Sequence, residues 1–476
     1  MNAELLRRTT ELALAYLAGL DDGPVARPVD LASLRGALGG PLPEHGDEPL
    51  AVVERLVQAV EPGLVATAGP RYFGFVVGGS QPAALAADWL TGAWDQNAAM
   101  YVLSPAAAVV EEVAASWLVE LFGLPVGTSV GYTTGATMAN FTALAAGRHA
   151  LCRTLGWDVE EDGLIGAPPI QVVIGAEAHV TVDVSLQMLG LGRGRVHRVP
   201  ADGQGRMRPD ALRATLTGLS GPSLVCAQAG NVNSGAFDPL PEIAAAVRDH
   251  GGWLHVDGAF GLWAAVSPAL RHHVVGLELA DSWTTDAHKW LNVPYDAGLV
   301  FVRDSAAHRD AMTLGASYYV ETTGGERDPY NWVPESSRRA RGFTVYAALR
   351  SFGRAGLAAL IDRCCGLARR MSDRLAVGPG VEILNEVVLN QVLVRFAPVA
   401  DTQAGAVTDP AAADALTRDV IARVQADGTC WLGGTTWHGL AAMRVSVSNW
   451  ATTEADIDRS AEAILRCAAE ARSAGA

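Results

Sequence analysis

The sequence predicts an α/β protein with a mostly parallel sheet covered on both faces, followed by a smaller α/β unit. Three observations carry that prediction. Between about 130 and 303, short apolar runs at 171–175, 196–200, 223–228, 253–257, 282–285 and 298–303 alternate with helical stretches such as 209–216 and 240–250. Strands separated by helices in this way build parallel sheets. Beyond a helix starting near 343, two further strands are expected near 391–396 and 442–448. Finally, His179, Asn231, Asn233, Asp257 and Lys289 all fall just past the ends of apolar runs, and open sheets of this kind bind ligands beyond the carboxyl ends of their strands.

Composition narrows the class. The chain has 476 residues, 49% of them apolar and 18% charged, which fits a globular enzyme and excludes general disorder. A net charge of −15 argues against a nucleic-acid partner. No uncharged apolar run reaches the roughly 18 residues of a membrane span. Glu4, Arg7, Arg8 and Glu11 interrupt the first leucines, which marks an amphipathic helix and not a secretory leader. Cys152, Cys226, Cys364, Cys365, Cys430 and Cys467 follow no zinc-ligand spacing. No metal site is expected, and the six read as reduced thiols of a cytoplasmic protein, mostly core filler.

In chain order, residues 1–70 read as helical, with Leu5, Leu12, Tyr16 and Leu20, then Val52, Val53, Leu56, Val57 and Val60 at helical spacing, and a loop rich in Pro, Gly and Asp between the two sets. They have too few apolar partners for a core of their own, so an arm is expected, packed elsewhere on the protein or on a second subunit. The glycine-rich stretch 70–82 marks a close approach of backbone, and helices follow at 82–97 and 104–122. Tyr132-Thr133-Thr134-Gly135-Ala136-Thr137-Met138-Ala139-Asn140 leads into a helix at 141–152. Small residues at a helix start leave N–H groups facing an anion, and the helix dipole adds to the attraction; a plain threonine cap is the other reading. Residues 315–342 are polar, glycine-rich and aperiodic, as in a lid or linker. The predicted division is an arm at 1–70, a large domain at 71–345 and a small domain at 346–476.

Lys289 is the only lysine, one of 36 cationic residues of which 35 are arginine. Arginine can solvate a surface or grip a phosphate, but it cannot serve as an amine nucleophile. The lysine therefore points to amine chemistry. Asp257 ends an apolar run, and Lys289 follows 289 − 257 = 32 residues later. A strand-end acid and a downstream lysine suggest pyridoxal phosphate, its aldehyde held by the amine and its ring nitrogen kept protonated by the acid. His179, after another strand end, suits stacking on the ring and proton transfer. Gly127-Thr128-Ser129-Val130-Gly131 matches the serine-hydrolase pattern G-x-S-x-G. It lacks the strand before and helix after that a nucleophile elbow needs.

With His255-Val256-Asp257, Ala259 and His288-Lys289-Trp290 in hand, the chain resembles the group II pyridoxal-phosphate-dependent decarboxylases, which act on aromatic amino acids, glutamate and histidine. The match runs from about Arg71 to the C-terminus. It implies fold type I, with a seven-stranded sheet and a homodimer sharing active sites. It assigns Lys289 to the covalent link, Asp257 to the pyridinium nitrogen, and His179 and Ala259 to the two ring faces. Gly135, Ala136, Thr137, His288 and Asn233 are expected to contact the cofactor. Arg444 stands where some members hold a substrate carboxylate, and Phe75, Val77 and Trp94 suggest an apolar or aromatic substrate side chain. In such decarboxylases a loop tyrosine returns a proton to the reacting carbon, and relatives with phenylalanine there make aldehydes. Tyr330 is the best match, with Tyr318 and Tyr319 as alternatives. Asp286-Ala287 replace the family's frequent Asn-Pro, and Met138 a frequent glutamate. The expected activity is α-decarboxylation of an amino acid to an amine. The alternatives are an aldehyde synthase, lyase or aminotransferase on the same scaffold, or an inactive scaffold protein.

Overall fold

The computed structural model describes residues 3–313, 325–398 and 409–475. The chain forms two compact units, one of residues 78–368 with 385–391 and one of 1–77 with 369–384 and 392–476.

The first unit holds a seven-stranded sheet: β1 (Ser129–Thr133), β2 (Gln171–Gly175), β3 (His197–Val199), β4 (Ser223–Gln228), β5 (Trp253–Asp257), β6 (Ser282–Asp286) and β7 (Gly298–Val302). Their spatial order is β1-β7-β6-β5-β4-β2-β3. Strands β3, β2, β4, β5 and β6 pair in parallel, whereas β7 is antiparallel to both β6 and β1. Every residue of β4, β5, β6 and β7 is buried, which is why β4 and β7 read as near-continuous apolar runs instead of alternating ones, while β5 and β6 bury polar side chains as well. All six runs expected between 171 and 303 are strands.

The helix Ala136–Thr154 starts five residues before the expected 141 and lies tight on the sheet. A Cβ on Gly147 would come within 2.8 Å of Leu224 and 2.9 Å of Trp253. Ala143, Leu144 and Ala146 pack there with Leu224 and Val300 in one core. The helices expected at 82–97 and 104–122 are Pro82–Trp94 and Pro105–Phe122, the second capped by Ser104.

The second unit carries a four-stranded sheet of β8 (Val381–Ile383), β9 (Gln391–Phe396), β10 (Gly433–Trp437) and β11 (Leu440–Ser446), ordered β10-β11-β9-β8. Its middle strands match the two expected near 391–396 and 442–448. The edge strands escaped notice because one is three residues long and the other opens on two glycines. The unit boundaries also differ from those expected. Residues 71–77 join the C-terminal unit because Phe73 N–H donates to Trp431 O at 2.7 Å and Ser446 N–H to Phe73 O at 3.0 Å. Buried Arg71 binds the Gly23 carbonyl at 2.7 Å and that of Thr429 at 2.8 Å, and also the Asp21 carbonyl. These bonds tie the N-terminal segment to the end of the chain. The helices Ala3–Ala18 and Leu31–Leu38 contain no buried residue.

Candidate active site

Asp257 ends β5 between Gln228 of β4 and Thr284 of β6, and it is almost fully buried. One carboxylate oxygen accepts from Asn140 Nδ2 at 3.2 Å, the other from Ala259 N–H at 3.1 Å. Behind it runs a chain of buried polar groups. Asn140 Oδ1 lies 2.9 Å from His255 Nε2 and 2.8 Å from Thr284 Oγ1, while His255 Nδ1 is 3.0 Å from Ser282 Oγ. Trp253 Nε1–H donates to Ser282 Oγ at 2.9 Å. Each group has one consistent role. Indole only donates, and a carboxylate only accepts. Asn140 must therefore face Asp257 with its N–H₂ and His255 with its oxygen, and His255 carries its proton on Nε2. Burial lowers the His255 pKa to about 4, so the ring is neutral.

Lys289 follows β6 with its side chain 21% exposed, and Nζ lies 3.0 Å from Asp286 Oδ2. The other oxygen of Asp286 accepts Ala136 N–H at 2.6 Å, the first amide of a helix whose cap, Gly135, offers no side chain. His288 Nδ1 accepts Ala297 N–H at 3.1 Å, which leaves the proton on Nε2, 3.5 Å from Asp286 Oδ1. Burial pulls the His288 pKa down. Close packing also fixes the lysine loop, for a Cβ on Gly78 would stand 1.6 Å from Lys289 O. That is the close approach the glycine-rich stretch predicted.

These groups share one cavity of about 260 Å³, lined by Gly135, Ala136, Thr137, His179, Asp257 and Ala259, with Asp286, His288 and Lys289 at one end. His179 also caps the helix Val180–Met188, its Nδ1 accepting Thr181 N–H at 3.3 Å. The cavity wall brings together a neutral imidazole donor, the first helix amide and a lysine, all gathered on Asp286, and holds a second carboxylate, Asp257. That donor set suits a phosphate and a cationic ring nitrogen.

Residues 33–397 match the model of the pyridoxal-dependent decarboxylase conserved domain. The chain belongs to the pyridoxal-dependent decarboxylase family. Its cofactor is pyridoxal phosphate, and its activity class is amino-acid decarboxylation. The aromatic-L-amino-acid decarboxylase of Bacillus atrophaeus is 28% identical over 84% of this chain and 83% of its own. An acidic amino acid decarboxylase of Mus musculus is 30% identical over 72% of this chain and 63% of its own. The phenylacetaldehyde synthase of Arabidopsis thaliana is 24% identical over 95% and 94%. Among solved structures, the Oryza sativa protein TDC with PLP and tryptamine shares the fold at a TM-score of 0.90, with 24% identity over 99% of both chains.

Several expected residues of this decarboxylase lie elsewhere. The cavity wall near Asn233 is made by Gly230 and Val232, because Asn231 Oδ1 is spent on the N–H groups of Asn233 and Ser234, closing the turn. Tyr330 is 3% exposed on the 3-10 turn Pro329–Trp332, with its N–H on Ala99 O at 2.8 Å. It is packed into the unit and does not line the cavity, so the turn is not the loose lid expected. Tyr318 and Tyr319 fall outside the described residues. Trp94 is half exposed, edge-on to Phe343. Phe75, Val77 and Arg444 belong to the second unit. There Phe75 stacks on Trp431 at 5.8 Å, and burial on β11 lowers the Arg444 pKa. Ser129 of the hydrolase-like pattern opens β1, its Oγ 3.0 Å from Val302 O and 2.8 Å from His308 Nδ1. His308 spends its other nitrogen on Trp332 O, so no acid completes a triad. Sequence reasoning missed Asn140 and the pairing of Asp286. Asn140 left one signal, a lone amide on an otherwise alanine-rich helix face.

Proposed function

We propose that this chain removes the α-carboxyl group of an aromatic L-amino acid to give an amine and carbon dioxide. The observation that carries the reading is the cavity in which Lys289 and Asp257 meet. Pyridoxal phosphate supplies an aldehyde that bonds to amines and a ring that draws electrons from the carbon losing its carboxyl group. The residues do the rest. Asp257, positioned by Asn140 Nδ2 and Ala259 N–H, offers its side chain to a cationic ring nitrogen. His179 and Ala259 flank the ring position. Gly135, Ala136, Thr137 and His288 receive the phosphate. Lys289 carries protons at Nζ. The aromatic substrate rests on the Bacillus relative named above.

The test is a panel of aromatic, acidic and imidazole amino acids with mass detection of products. Aromatic amine and carbon dioxide are expected, and a preference for aspartate or glutamate overturns the substrate. Borohydride reduction of the holoenzyme should leave cofactor mass on the Lys289 peptide alone, and Lys289→Arg should remove both label and turnover.

A second reading is oxygen-dependent aldehyde formation, favoured by the burial of Tyr330 away from the cavity wall. Aldehyde with ammonia and peroxide, in place of amine, would establish it. If Tyr330, Tyr318 or Tyr319 returns the proton, its phenylalanine variant shifts product from amine to aldehyde. Silence of all three variants removes the loop from the mechanism.

A further inference from the structure

Asp286 stands where a phosphate-binding end should be free of negative charge. It is 2% exposed, and it gathers three groups: Ala136 N–H at 2.6 Å, Lys289 Nζ at 3.0 Å and His288 Nε2 at 3.5 Å. Two of these, Ala136 and His288, are the donors assigned to the cofactor's phosphate. Close packing keeps the carboxylate near them. A Cβ on Gly135 would lie 3.5 Å from Asp286 Oδ1 and 3.2 Å from the His288 ring, and β6 is fixed by its pairing of Asp286 with Gly298 of β7. A carboxylate and a phosphate dianion competing for the same donors in a buried site repel each other strongly.

We propose that Asp286 is an internal stand-in for the phosphate. Its carboxylate satisfies the helix amide and the lysine, and it must give up Ala136 N–H when a phosphorylated ligand binds. Asp286 thereby weakens affinity for phosphate-bearing ligands in particular, and sets how readily the cofactor exchanges. The inference does not depend on which amino acid is decarboxylated, and its test uses no substrate.

The full-length chain, resolved of cofactor, is titrated with pyridoxal phosphate and with pyridoxal, which has the same aldehyde and ring but no phosphate. Any change in the reactivity of Lys289 caused by loss of its counter-ion acts on both ligands and cancels in their affinity ratio. In Asp286→Asn and in Asp286→Ala, the preference for pyridoxal phosphate over pyridoxal should rise by roughly tenfold or more relative to the unmodified chain. Inorganic phosphate should raise the melting temperature of both variants more than that of the unmodified chain. An unchanged or lower ratio in folded variants overturns the proposal. A rise in Asp286→Asn alone also overturns it, since the new amide donor and not the lost charge would then be responsible. If circular dichroism shows that neither variant folds, Asp286 is a structural anchor and the proposal falls.

Discussion

Asp257 is fixed in place inside the protein by neighbours that each have one compatible orientation. Charge held beside a ring nitrogen is what the chemistry needs, so removing it should harm the chemical step more than cofactor retention. Asp257→Asn, saturated with cofactor, is expected to lose roughly a hundredfold or more in kcat; near-normal turnover would exclude Asp257 as the ring-nitrogen partner. Asn140→Ala tests the groups behind it. That change strips a donor from Asp257 and leaves the buried His255 N–H without its acceptor, at a cost of about 1–3 kcal/mol of stability. Urea unfolding should report that loss beside a lower kcat, and a variant as stable as the parent would show that water replaces the amide. Asp257 and Lys289 were legible in the sequence because each chemistry admits few residue types, and the lone lysine among 35 arginines was the strongest of the signals. Asn140 and the Asp286 contact were not legible. They exist only once the helix Ala136–Thr154 is laid on the sheet, a placement that packing decides and spacing does not.

Among the elements, the helix Ser305–Met312 acts as a tie. Its His308 reaches Ser129 at the start of β1 and the Trp332 carbonyl on the 3-10 turn, so it joins three segments distant in sequence. In the folded chain, burial keeps His308 neutral down to about pH 3, against 6.5 for an ordinary imidazole. The unfolded chain therefore binds the extra proton between these values, and stability falls as the pH drops through that window. His255 acts in the same direction between 6.5 and about 4. Asp238, its pKa raised by burial to about 6 from 3.8, acts in the opposite direction. A raw pH slope mixes all three, so the informative quantity is a difference. Unfolding free energies measured at pH 7.5 and 4.5 should drop less in His308→Gln than in the parent, by about 1–3 kcal/mol. Equal drops would mean that His308 is protonated in the fold. This tie also explains why the aperiodic stretch was misread as loose through to 342. Its far half has no sequence period, yet it is pinned at Trp332, at Tyr330 and at Asp328, which accepts Tyr101 N–H at 2.8 Å. Bonds to distant backbone leave no local pattern to read.

At the scale of the whole molecule, the N-terminal helices leave Leu6, Leu14, Leu31 and Leu38 each more than half exposed. The spacing of leucines and valines predicted the helices Ala3–Ala18 and Pro49–Val60, whereas the Pro-, Gly- and Asp-rich stretch read as a loop between them contains the helix Leu31–Leu38, and spacing alone did not say what these helices pack against. We expect their partner surface to be a second copy, consistent with the homodimer the family resemblance implies. Sedimentation should give a dimer, and Leu6→Glu with Leu14→Glu should shift it towards monomer at micromolar concentration. A fully active monomer of the parent would end the idea. The general architecture was read correctly from the alternation of strands and helices. The boundaries at 77 and 368 were not, because Arg71 gathers carbonyls from both ends of the chain, a long-range bond that composition does not announce.

The solitary lysine has one more consequence. Feeding the cells lysine enriched with ¹⁵N at the side-chain position would place a single labelled nitrogen per chain, at Lys289. Its magnetic resonance signal would need no assignment. One line in the spectrum would report whether the amine is protonated beside Asp286 and whether it has been released or joined to a ligand, titration by titration, in the intact enzyme.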